Sequence, residues 1–206
     1  MTRLRAKPSS RRGASYEPSG QPGSACAVRL DSYAARRAGR LPEALRLFRE
    51  VARVCVQAGD WGPEIGARNV LADLLWEIGP IEEAAREVCS LAEQLRARPA
   101  SDTDTALVLC NVVGILSEMG RIEEASSAAR ESLPFMRRAK QYFLDVFVYL
   151  FYRREQFDPA ALLLGASEAA VSNNQAPRQP NERRLVALAR PALEAALVPE
   201  PSHGAS

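Results

Sequence analysis

One six-residue pattern, Gly-x-apolar-x-Glu-Ala, recurs three times and restricts the fold more than any other feature of the chain. It reads "GRLPEA" from Gly39, "GPIEEA" from Gly79 and "GRIEEA" from Gly120. The closing alanines, Ala44, Ala84 and Ala125, lie 40 and 41 positions apart. Beyond the second copy the apolar residues are Ile81, Ala84, Ala85, Val88, Leu91, Ala92 and Leu95, the spacing of one helical stripe. Leu41, Ala44, Leu45, Phe48, Ala52 and Cys55 repeat that stripe in the first copy, and Ile122, Ala125, Ala129 and Leu133 in the third. A second helical pattern runs into the later glycines, "LADLLWEIG" and "VVGILSEMG". Glycine ends a helix without steric cost because it enters the left-handed region freely. Pro42 and Pro80 suit a helix start, where no N–H is required, and Glu82–Glu83 and Glu123–Glu124 suit the positive end of the helix dipole. Each unit is therefore expected to be helix, glycine turn, helix, with the alanine marking where two helices approach closely.

A degenerate fourth copy follows in "EQFDPAALLLGASEAA", Glu155 to Ala170, which aligns Phe157 with Ile122 and Ala160 with Ala125. Its interval is shorter, 35 positions, and Pro134 is expected to end or kink the preceding helix early. The last helical pattern, "NERRLVALARPALEAAL", is read as a capping helix with Asn181 as its N-cap. The expected organisation is a disordered basic leader over 1–24, helical repeats over 25–172, a loop over 173–180, a capping helix over 181–198 and a disordered tail over 199–206. The fold class is all-α.

Composition narrows the function classes. The net charge of +2 conceals a leader with five basic residues against Glu17, which leaves the remainder mildly acidic. An acidic body lacks the basic stripe of a general nucleic-acid binder, and acids interleave around Arg36, Arg37 and Arg40. The leader has the charge to touch nucleic acid or acidic lipid, but it is read as a solvated tail or a mispredicted start codon. Lysine occurs only at Lys7 and Lys140 while arginine abounds, which we read as GC-rich codon usage and a bacterial source. Cys26, Cys55, Cys89 and Cys110 form no CxxC and fit buried thiols in a reducing cytoplasm. The most apolar window, "YFLDVFVYLFY" from Tyr142 to Tyr152, is half the ~20 residues a bilayer requires, so no membrane association is expected.

A catalytic site is not expected. The single histidine, His203, falls in the tail, so neither Ser-His-Asp nor Cys-His can be assembled on the folded part. "GASEA" at Gly165 lacks the second glycine and preceding strand of a nucleophile elbow and reads as a helix turn. No metal-ligand spacing and no cofactor motif occurs, and the paired glutamates have a structural explanation.

The helix–turn–helix unit with its Gly-x-apolar-x-Glu-Ala turn resembles the tetratricopeptide repeat, with a period longer than the usual ~34 residues. Units of this length, followed by "LLLGASEAA" and a terminal amphipathic helix, are similar to the C-terminal repeat regions of bacterial STAND-type ATPase transcriptional regulators. The Walker A loop of those regulators is missing, since both lysines follow alanine where a P-loop needs Gly-Lys. The resemblance implies a right-handed α-solenoid of three to four hairpins in which the first helix of each unit lines a concave surface. That places Arg29, Tyr33, Arg36 and Arg37, then Asn69, Asp73, Trp76 and Glu77, then Ser117 and Glu118, then Asp145, Tyr149, Tyr152 and Arg153 on the groove. Aromatic and arginine side chains are the types that carry interface energy, although for Trp76 and the tyrosines packing against neighbouring helices is the favoured alternative. The expected function is a non-catalytic protein- or peptide-binding scaffold, the sensory or assembly part of a bacterial regulatory system, cytoplasmic and compatible with homo-oligomerisation. The alternatives are a truncated C-terminal region of such a regulator without its ATPase and DNA-binding domains, and an enzyme of unknown type.

Overall fold

The computed structural model describes residues 22–140, 143–173 and 178–196, with side chains described from Arg29 onward. The expectations for residues 1–21 of the leader, for 174–177 of the loop and for the tail lie outside the described residues, whereas 22–24, expected as leader, already belong to the first helix. The side chain of Cys26 also lies outside the described residues.

The described residues are all-α. The helices are α1 (Pro22–Arg37), α2 (Leu41–Ala58), α3 (Trp61–Ile78), α4 (Ile81–Ala97), α5 (Asp102–Glu118), α6 (Ile122–Ala139), α7 (Leu144–Arg153), α8 (Phe157–Ser172) and α9 (Pro180–Ala196). Each copy of the repeated pattern starts a helix at its apolar residue: Leu41, Ile81, Ile122 and Phe157. The four aligned alanines, Ala44, Ala84, Ala125 and Ala160, are 0% exposed, so no larger side chain fits there without separating the helices.

The turns show why the fourth copy tolerates a different sequence. After α1, Gly39 sits at φ 71°, its N–H donates to Arg36, and the Arg40 N–H donates to Ala35. Gly120 and Arg121 repeat both bonds after α5. After α7 the same two bonds come from Glu155 to Tyr152 and from Gln156 to Phe151, with Glu155 at φ 58° where the other copies have glycine. Two intrahelical carbonyls are thereby satisfied at each turn. At the second copy Gly79 donates instead to Leu75, four residues back, and Pro80 has no N–H for the second bond. A left-handed conformation costs an ordinary residue about 1–2 kcal/mol, part of which glycine returns as unfolded-state entropy. Glu155→Gly should therefore raise the unfolding free energy by about 0.5–1 kcal/mol in a denaturant titration. An unchanged midpoint would show that the turn carries no strain.

Consecutive helices joined by short turns pack side by side: α1 with α2, α3 with α4, α5 with α6 and α7 with α8. The first helix of one pair packs on its successor in the next, α3 on α5 and α5 on α7. This makes α5 an interior helix, buried on nearly every side from Thr105 to Ser117. Gly114 is what permits the closest approach, because a Cβ there would run into the Trp76 indole of α3 and lie 3.1 Å from Val146 Cγ1 of α7.

Two expectations about α6 need correction. Pro134 does not end α6, which continues to Ala139. Pro134 and Arg130, whose carbonyl loses its helical donor, both lie on the exposed face, where solvent can replace the missing bond. The shortened interval arises instead in α7, which has ten residues. Leu133 is also not part of the packed stripe. It is 43% exposed and borders a cavity of about 310 Å³ among α6, α7 and α8, while Ser132 and Met136 carry the stripe onward.

α9 packs chiefly on the last hairpin, α7 and α8, as an end cap does, but it is not confined to it. It returns across the first helices of the pairs, packing on α7, α8 and α3. Asn181 is not its N-cap. The first helical bond runs from the Arg183 N–H to the Gln179 carbonyl, Pro180 takes the first helical position, and Glu182 accepts the Gln179 N–H at 2.7 Å. Asn181 is 2% exposed and faces α3, so its side chain is used in a tertiary contact.

Candidate protein-binding surface and the helix that lies on it

The polar residues of α3, α5 and α7 form three clusters, each completed by the segment that leads into α9 or by α9 itself. In the first cluster Arg36 of α1 is paired with Asp73 and, at 3.4 Å, with Glu77. Asp73 also accepts from Asn181 Nδ2, at 2.7 Å through Oδ1 and 3.0 Å through its backbone carbonyl. In the second, Trp76 Nε1 donates to Glu118 at 2.5 Å, and Arg184 donates to the same carboxylate at 2.9 Å. The Arg184 guanidinium lies 5.6 Å from the Trp76 ring centroid, close enough for a cation–π contact. In the third, the buried Asp145 carboxylate accepts Ser167 Oγ at 2.6 Å and Arg178 Nε at 2.9 Å.

The remaining expected groove residues divide into two groups. Tyr149 and Tyr152 pack at 5.7 Å, and Arg153 stacks over Tyr149 while donating to the Ser117 carbonyl at 2.8 Å. Asn69 is bonded to Asn111 at 3.0 Å, a rung between α3 and α5. These residues are thus engaged within the protein. Arg29, Tyr33 and Arg37 on α1 are exposed, and Tyr33 meets Phe48 edge-on at 5.1 Å with 42% of its surface free. Trp76 is only 2% exposed and Tyr149 5%. Trp76 and Tyr149 therefore pack between helices, Trp76 against Gly114 of α5 with Arg184 of α9 over its ring.

Asn181, Arg184, Arg178 and Glu182 were not anticipated as part of this surface. A signal existed: Asn181, Leu185, Ala189 and Leu193 are four residues apart, so a polar side chain heads an otherwise apolar buried stripe. An end cap would turn polar groups toward solvent. The Glu182 carboxyl is pushed up, first by burial and then by Asp145 and Asp73 nearby, against the opposing pull of the Gln179 N–H and Arg178.

The same geometry offers little to a covalent mechanism. Ser167 lies in α8 beside Asp145 and Arg178, with no imidazole among the described residues to accept its proton. Cys55 and Cys110 are buried thiols, and burial pushes the Cys110 thiol far up, away from a reactive thiolate. Glu83 pairs with Arg49 at 2.6 Å and Glu124 with Arg121 at 2.7 Å, so each glutamate pair of the repeat supplies a surface ion pair. Among the described residues no group of three His, Cys, Asp or Glu side chains could hold a metal ion, and no helix is long and apolar enough to cross a membrane. No protein-family model matches the chain, and no curated protein matches it.

Proposed function

We propose that this chain is a non-catalytic scaffold that binds a helical segment of a protein partner on the surface formed by α1, α3, α5 and α7. We further infer that the stacked hairpins are tetratricopeptide-like units of a right-handed solenoid, serving the sensory or assembly side of a bacterial regulatory system. The observation that carries the reading is the seating of α9, which lies on that surface and is held by Asp73 and Glu118 through charge-assisted hydrogen bonds. A row of inner helices able to hold one amphipathic helix has the chemistry to hold another. The repeated intervals, the shared turn geometry and the first-helix contacts support the hairpin-stack part of the reading.

Affinity capture on the full chain, read by mass spectrometry, tests it. Tyr33→Ala plus Arg37→Glu alters the exposed α1 end of the surface at the cost of the Tyr33–Phe48 edge contact, while leaving the Asp73, Glu118 and Asp145 clusters intact. Loss of a Tyr and an Arg anchor should reduce capture about tenfold or more, with the circular dichroism spectrum unchanged. Equal capture by both chains would move the partner off this surface. Turnover of a nucleotide or ester by the purified chain would overturn the non-catalytic assignment.

A further inference from the structure

We infer that α9 is a resident occupant of the surface formed by α3, α5 and α7, displaced by an amphipathic helix of a partner protein bearing the same signature. That signature is an Asn, an Arg three positions later, then Leu, a small residue and Leu at four-residue steps, as in Asn181, Arg184, Leu185, Ala189 and Leu193. The inference rests on the scaffold reading above and specifies both the partner and the regulation of that surface.

The first support is complementarity. The inner helices present Asp73, Glu118 and Asp145, and the incoming segment brings Arg178, Arg184 and the positive end of the α9 dipole. Leu185, Ala189 and Leu193 are each at most 1% exposed, so the apolar half of the signature is read by packing as well.

The second support is that the fit is incomplete, and only there. Among the described residues the buried side-chain atoms without a hydrogen-bond partner are Ser117 Oγ, Asn181 Oδ1 and Arg184 Nε. Ser117 lies on α5, next to Glu118, the acceptor of Arg184, and the other two belong to α9. A buried polar group without a partner weakens the arrangement that contains it. Glu182 adds to this, since burial and the nearby Asp145 and Asp73 disfavour its charge more than its bond from the Gln179 N–H and Arg178 favour it. A partner helix that donates to Ser117 and has a neutral residue in place of Glu182 keeps the Asn and Arg contacts of α9 and removes the defects at Ser117 and Glu182. Differential affinity of that kind is what shifts a population from the α9-closed to the α9-open arrangement.

The test uses the full chain, ¹⁵N-labelled, and an unlabelled fluorescent peptide with the sequence of residues 178–196. Anisotropy reports peptide binding and hydrogen exchange reports protection of the α9 amides in the chain. The expected result is weak binding to the wild-type chain and at least about tenfold tighter binding to the Arg184→Ala, Leu185→Ala chain, where the resident helix is loosened. Adding peptide should deprotect the chain's own α9. A peptide with Glu182→Gln should bind more tightly than the unmodified one, and one with Asn181→Ala and Arg184→Ala should bind at least about tenfold more weakly. Binding without deprotection of α9 would overturn displacement while leaving a helix-binding scaffold in place. Exchange of α9 only on global unfolding, with no peptide bound, would overturn displacement and make α9 a structural element. Opening of α9 below the global limit with no peptide affinity would overturn both displacement and the helix-binding reading.

Discussion

Gly114→Leu should lower the unfolding free energy by about 3 kcal/mol, the upper range for an overpacked core. The site leaves no room, because even a Cβ meets the Trp76 indole and approaches the Val146 side chain. The indole cannot swing aside freely, since Nε1 is bonded to Glu118 and the ring face is covered by Arg184. Alanine at the same position gives a smaller effect, because its better helix propensity returns about 1 kcal/mol of the strain. The cause is separable from mere crowding. In a chain that already carries Trp76→Phe the cost of Gly114→Ala should fall, giving a coupling of about 1 kcal/mol or more in a double-mutant cycle of denaturant midpoints. Additive effects would mean that Gly114 and Trp76 do not share the same space.

The second large effect is expected at Asp145. Its carboxylate is 5% exposed and holds together α7, where it resides, Ser167 of α8 and Arg178 before α9. Removing one member of a buried pair leaves the other charge without compensation, and Asp145→Ala should cost about 3 kcal/mol. Asp145→Asn keeps an acceptor for Ser167 and should cost less. Hydrogen exchange should show the loss concentrated in α9, whose lead-in segment is tied down by Arg178. A uniform loss across all helices, or a cost below about 1 kcal/mol, would remove Asp145 from the role of junction.

How much of this could be read from the sequence depended on the range of the interaction responsible. The starts of α2, α4, α6 and α8 were legible because an apolar stripe, a turn residue and a small contact residue all fall within six positions. Even Glu155 could be placed, by alignment with Gly120, although its residue type argues against a left-handed turn. Pro134 misled for the opposite reason. A local rule predicted a broken helix, but exposure of both Pro134 and Arg130 removed the penalty the rule assumes. Asn181 is as good a cap as a buried donor by composition, and its acceptors on Asp73 are 108 positions away. No periodicity within α9 could point to that partner, although it did point to the buried face.

The same separation has a consequence in time. Hairpins such as α5 with α6 close through neighbouring residues and can pair as soon as both helices are made. The bond from Asn181 to Asp73 closes a loop of more than half the chain, and contacts of that range form late. Synthesis proceeds from the N-terminus, so α3 and α5 are complete and paired before α9 is translated. During that interval Asp73, Trp76 and Glu118 have no α9 to meet, and the nascent chain displays the surface that the finished one covers.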